Sequence, residues 1–253
     1  MKDTESIRSK LERFERTKER LLESLEAGKV PDENLAETYL RIGNKYQAIG
    51  LYRMALEDCT DARSDFEQSA EWYHKGVRET RRRRDDPSDD FVGGVRLLKY
   101  LYSAVLTGDT AVIEQATEAA VETHESHYER SSTIYRYHLL QGLAAILQDT
   151  GTQRLQFEEL QTTLKGVSEE HQHYFGALGQ ALTGIVDHDG ETFSDGVDQF
   201  LEWHDDNVDF ETKTSARDLV CLQVVVLVVL ARRSGMAGRI DSEYLPECTS
   251  ELI

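Results

Sequence analysis

Proline is nearly missing from this 253-residue chain, which has only Pro31, Pro87 and Pro246. Long stretches are therefore free to stay helical. Cysteine is as scarce: Cys59, Cys221 and Cys248 are odd in number, far apart and without a C-x-x-C pair. That usage points to reduced thiols and a cytoplasmic location. Lysine is short as well, with arginine outnumbering it about two to one. Positive charge as a whole is outweighed, at 29 Lys+Arg against 47 Asp+Glu and a formal charge of −18. Such a balance leaves no broad basic face, which argues against a nucleic-acid partner. Long apolar runs are also missing. The strongest, residues 219–231 (LVCLQVVVLVVLA), has thirteen residues, where a helix needs about 20 to cross a bilayer. The N-terminal stretch is too charged for a secretory signal peptide, so no membrane partner is expected.

The acid surplus is the first thing the chain does have. Dense carboxylates with little lysine suit a halophilic protein kept hydrated in a salt-rich cytoplasm, as in a haloarchaeon. At molar salt the screening length falls to about 3 Å. The acidity then serves as an adaptation more than as long-range steering toward a basic partner.

Apolar residues recur at spacings of three and four through most of the chain. A first helix is expected over about 4–27, with Ile7, Leu11, Phe14, Leu21, Leu22 and Leu25 near one stripe and Gly28 as a left-handed cap. Pro31 and Asp32 restart a second, carrying Leu35, Tyr39, Ile42, Tyr46, Ile49 and Tyr52. A third passes through Phe66, Trp72, Tyr73 and Val77 and ends in Arg78 and Arg81–Arg84. The polar residues 85–90 (DDPSDD) read as a linker or long loop. The expectation is a single all-helical domain, 1–253, with a possible N-terminal helical subdomain, 1–86, and a C-terminal helical-repeat domain, 91–253. Further helices are expected over 91–106, from 109 onward, and over 131–148, 152–165, 169–186 and 191–205. Thr107-Gly108-Asp109, Asp149-Thr150-Gly151 and Asp187-His188-Asp189-Gly190 punctuate them. The valine-rich run 219–231 suits a strand by propensity. Its length and the lack of a partner strand favour a helix buried on nearly every side. The fold class is therefore all-α: antiparallel helical hairpins packed as a bundle or a short α-solenoid resembling tetratricopeptide repeats. The period is too irregular for such repeats outright.

Motifs for chemistry are thin. Two Glu-x-x-His pairs, Glu71/His74 and Glu170/His173, have the spacing of di-iron bundle ligands, but two is about what chance supplies and both settings are polar. His124/His127 and His171/His173 have no cysteine nearby to complete a zinc site. They read as solvated or interhelical histidines. Arg81–Arg84 read as a basic helix end answering the helix dipole, balanced by the acids that follow. Gly93-Gly94 lacks a phosphate-loop context, and neither G-x-G-x-x-G, G-x-x-x-x-G-K-[ST] nor G-x-S-x-G occurs. Tyr39, Tyr46, Tyr52, Tyr73, Tyr100, Tyr102, Tyr135 and Tyr137 lie in or beside the apolar stripes and are expected in the core or half-core. No catalytic residue, metal site or cofactor is expected.

Three segments carry a family resemblance: LYSAVLTGDTAVIEQA (101–116), IVDHDGETFSDGVDQFLEWHDD (185–206) and LVVLARRSGMAGRIDSEYLPECTSELI (227–253). They combine Gly-Asp hairpin turns, a helix ending near Trp/His, a late aliphatic helix with an Arg-Arg-x-Gly turn, and a terminal Tyr-x-Pro stretch. Gly108, Asp109, Phe193, Leu201, His204, Ala231, Arg232, Gly235, Tyr244, Leu245 and Pro246 fit that pattern. The second half thus resembles the immunity protein 49 family of polymorphic-toxin immunity proteins. The resemblance implies an all-helical, non-enzymatic protein that binds and neutralises a cognate protein toxin, and it supplies no catalytic residue. Acids around the hairpin turns (Asp109, Asp187, Asp189, Asp205 and Asp206) are then the expected partner contacts. The alternative is a tetratricopeptide-like scaffold holding a peptide or regulatory protein. A ferritin-like metal enzyme built on the Glu-x-x-His pairs stands third.

Overall fold

The computed structural model describes residues 4–83, 93–208, 215–236 and 240–252. The expected linker, 85–90, lies outside them, as does Arg84. In chain order the helices are α1 (Thr4–Glu26), α2 (Leu35–Ala55), α3 (Cys59–Arg82), α4 (Gly94–Thr107), α5 (Thr110–Val121) and α6 (Glu125–Arg130). They continue with α7 (Ile134–Gln148), α8 (Gln153–Leu164), α9 (Glu169–Asp187), α10 (Gly190–Asn207), α11 (Ala216–Leu219) and α12 (Leu222–Arg233). The 3-10 segments Asp32–Asn34 and Glu247–Leu252 also lie among the described residues. No β-strand occurs among the described residues, so the all-α class holds. Gly28 (φ +64°) and Gly108 (φ +73°) take the left-handed conformation that ends α1 and α4, which a side chain would resist.

The run 219–231 becomes α12, preceded by the single turn of α11. Valine is a poor helix former in isolation, yet burial decides the matter. Leu222 and every residue from Val224 to Ala231 are 5 % exposed or less. The helix packs against α4, α9, α10 and the C-terminal 3-10 turn. Its one polar residue in this stretch, Gln223, donates a 2.7 Å hydrogen bond to the Tyr174 hydroxyl of α9. Around it, α2 pairs with α3, α7 with α8 and α9 with α10. A continuous hydrophobic cluster runs from Ile7 to Leu252. The packing is that of a bundle closed round α12.

The α9–α10 hairpin is held at its turn by backbone contact. A Cβ on Gly196 would stand 2.4 Å from the Ala181 nitrogen, and one on Gly184 2.4 Å from the Phe193 nitrogen. Away from the turn, Tyr174 meets Phe200 and Trp203 with ring centroids 5.1 and 4.7 Å apart. Small residues close one end of the hairpin and aromatic rings hold the other end open.

The reading of all three cysteines as reduced is corrected. Cys59, in the first turn of α3, is joined to Cys248 of the C-terminal turn across a sequence separation of 189, and only Cys221 is free and buried. Cys248 is further positioned by its backbone N–H, which donates to Glu57 Oε2 at 3.0 Å. Pairs this distant leave no spacing signal, so folding alone brings them together. The cysteine argument for a reducing compartment falls with the pairing.

Two stability tests follow from this packing. Val226→Asp places an unpaired carboxylate among apolar neighbours and should cost about 3–5 kcal/mol, seen as lost cooperativity in thermal unfolding followed by circular dichroism. Cys248→Ser, or reduction, should lower stability by roughly 2–4 kcal/mol. Urea midpoints with and without reductant measure it, and the variant should be insensitive to reductant.

Candidate functional site

The wedge shape of the α9–α10 hairpin opens a groove of about 370 Å³ at the end away from its turn, lined by Glu170, His173, Gln199, Glu202, Trp203, Asp206 and Asn207. Gln199, Glu202, Trp203 and Asp206 follow one another at i, i+3, i+4 and i+7, one face of α10. Glu170 and His173 face them from the first turns of α9. Three carboxylates therefore share a concavity whose lining contains no lysine or arginine. Trp203 forms its apolar wall, with an indole N–H that is buried and without a hydrogen-bond partner among the described residues. Carboxylates beside an aromatic wall suit a cation: charge attracts it, and a ring can hold it through its negative face.

The five acids expected from the sequence fall in different places. Asp109 caps α5, accepting hydrogen bonds from the N–H groups of Ala111 (2.8 Å) and Val112 (3.3 Å). Asp189 caps α10 in the same way, accepting from Glu191 and Thr192. The Thr192 hydroxyl adds a third bond at 2.6 Å, and these bonds hold its carboxyl below the ordinary range, Thr192 contributing most. Asp187, at the end of α9, is ion-paired with Arg154 of α8. Asp205 accepts a hydrogen bond from the Tyr244 hydroxyl, which ties the C-terminal segment to α10. Asp206 alone lines the groove. At about 1.5 Å per residue, Asp189 and Asp206 stand roughly 25 Å apart at opposite ends of α10. The five acids do not form one patch.

Glu170, His173, Gln199, Glu202, Trp203 and Asn207 were not expected as a surface, although Glu170/His173 stood out as a spaced pair. The signal available was the polar i, i+3, i+4, i+7 stripe on α10 interrupted by a tryptophan. The other such pair separates: Glu71 bonds Lys75 at 2.6 Å, while His74 Nδ1 lies 3.1 Å from the Tyr100 hydroxyl. Among the described residues no group of three or more His, Cys, Asp or Glu side chains is placed to hold a metal ion. His171 packs beside the rings of Tyr135 and Phe175, which also meet each other. His127 is buried. At the basic end of α3, Arg81 pairs with Glu122 just past α5, and Arg82 and Arg83 both pair with Glu79. Hydrogen bonds from Arg82 and then Arg83 hold the Glu79 carboxyl down at about 2.

The family model of immunity protein 49 matches residues 53–248. The chain belongs to the immunity protein 49 family. The match starts well upstream of the C-terminal motifs that first suggested it, so it takes in all of α3, both cysteines of the disulfide and the whole α9–α10 groove. No curated protein and no solved structure matches the chain. No helix among the described residues of this immunity protein 49 member is long and apolar enough to cross a membrane. Membership carries a toxin-immunity role in general, and with it a protein toxin as the kind of partner.

The capping role of Asp109 is open to test. Asp109→Ala should lose about 1 kcal/mol of stability by freeing two N–H groups of α5, read from urea unfolding. Asn at the same position should restore most of it.

Proposed function

We propose that the chain neutralises a cognate protein toxin by binding it directly and without catalysis. The α9–α10 groove is the surface that receives a basic side chain of that toxin. The observation that carries the general reading is the family match over residues 53–248. Support for the groove comes from its chemistry. A guanidinium entering it meets Glu170, Glu202 and Asp206 together with the Trp203 ring, and no cation opposes it from the lining. A contact of this kind survives high salt better than long-range attraction does, because paired charges at bonding distance are screened less. Among the acids expected from sequence, Asp206 makes this contact. Asp109, Asp187 and Asp189 border hairpin turns and Asp205 adjoins the groove, so in this reading they lie outside the contact with the guanidinium.

Co-expression with the toxin encoded by the adjoining gene should restore growth, and the two proteins should purify as one complex. The reading fails if no protein partner is captured and growth is not restored. The charge-reversed pair Glu202→Lys with Asp206→Lys should weaken binding of the purified toxin tenfold or more, roughly 1.4 kcal/mol or above, with helicity unchanged. Unaltered affinity in that variant removes the groove from the interface while leaving immunity itself intact.

A further inference from the structure

Helices α2, α3 and α4 line a second concavity, with the opposite charge. It measures about 280 Å³ and is lined by Glu37, Leu40, Arg41, Asn44, Lys45, Tyr73, Arg96 and Lys99. Arg41 and Lys45 lie one turn apart on α2, and Arg96 and Lys99 one turn apart on α4, so two cationic pairs line the same space. In a chain with 18 more acidic than basic residues, four cations in one small space are a conspicuous placement. The acids nearby offset only one of them. Glu37, the one carboxylate of the lining, is ion-paired with Arg96. Lys99 donates to the Asn44 side-chain oxygen at 2.6 Å, and Lys45 lies over the Phe14 ring at 4.4 Å. Among the described residues, neither lysine nor Arg41 forms an ion pair.

The cations also disfavour one another. Burial, then the charges of Arg217 and Arg96, hold Lys99 down at about 8. Burial, then Arg41 and Arg13, lower Lys45 as well. Arg217 belongs to α11, which packs on α2 and brings a fifth positive charge toward the same space. Such crowding disfavours the empty protein and is relieved by an anion.

A buried donor completes the arrangement. Tyr73 is 1 % exposed, lines the pocket, and its hydroxyl has no hydrogen-bond partner among the described residues. A buried hydroxyl left unpaired costs free energy. Burial raises its pKa, so it stays protonated and can donate. The ligand that satisfies it must reach inside the pocket with an acceptor oxygen.

We propose that the pocket between α2, α3 and α4 binds a small phosphate-bearing anion, held by Arg41, Lys45, Arg96 and Lys99 and hydrogen-bonded by the Tyr73 hydroxyl. With Glu37 offsetting Arg96, three cations remain, and a doubly charged phosphate matches that charge better than a single carboxylate does. It also offers enough oxygens for several arginine and lysine donors and the hydroxyl at once. The volume is at the lower end for ligand pockets, suiting a phosphate, a pyrophosphate or a short phosphomonoester.

The test is calorimetric titration of the full chain with inorganic phosphate, pyrophosphate and, as a carboxylate control, citrate. It is run in potassium chloride at the lowest concentration that preserves the helical circular dichroism signal. Pyrophosphate should bind with one-to-one stoichiometry. Lys99→Met and Arg41→Gln should each weaken it about tenfold or more, and Tyr73→Phe about threefold to tenfold. Arg41 is exposed, so its variant keeps the test valid if the Lys99 replacement perturbs packing. Three outcomes overturn the proposal: no binding of either phosphate probe at millimolar concentration, binding equal in all variants, or citrate binding as tightly as pyrophosphate. The last would mark the pocket as a socket for carboxylates, including an acidic side chain of a protein partner.

Discussion

Leu222 and the eight residues from Val224 to Ala231 are withdrawn from water on every side, and each square ångström of apolar surface so removed contributes roughly 25 cal/mol. No single neighbour can cover such a helix. It needs α4, α9 and α10 at once, and that requirement sets where the hairpins lie. Apart from α4, which is buried on every side from Tyr100 to Thr107, most other helices present an apolar stripe inward and a charged face outward. Gln223 fits this scheme because Tyr174 answers it. The same tyrosine then contributes to the aromatic cluster with Phe200 and Trp203. Core and groove therefore share a residue, and the surface open to a partner is an outgrowth of how α12 is buried.

Most of the fold was legible as periodicity. The stripe in 35–52, the glycine at 108 and the Asp189 that opens α10 each encode a local preference, and local preferences can be read one segment at a time. The parts that escaped depend on distant segments meeting. The short helix α6 and the turn α11 are too brief for a period to show. The start of the last long helix moved from 219 to 222 because Cys221 instead gives its N–H to the Tyr244 carbonyl. The Cys59–Cys248 bond was invisible for the same reason. As for the groove, Asp206 and the Glu170/His173 pair each stood out in the sequence, but nothing local joined them into one surface. Four of the five acids also serve as caps, an ion-pair member or a tyrosine partner, roles that residue type alone does not announce.

The two concavities divide the charge of the molecule. One collects carboxylates in a chain whose net charge is already −18. The other gathers four basic side chains in a single recess, across α2, α3 and α4. The family match begins at residue 53, so it covers α3 and α4 and leaves all but the last turn of α2 outside. The basic recess is thus built across that boundary, with Arg41 and Lys45 supplied from the unmatched side. The acidic groove lies wholly within the match.

The contact of Gly184 and Gly196 with the facing backbone has a consequence for recognition. Helices that touch through main chain have no rotamers to adjust at the point of contact, so the angle between α9 and α10 is set before any partner arrives. The groove at their far end inherits that rigidity. Binding there forfeits little conformational entropy in the receptor, which favours a partner whose own shape is equally settled.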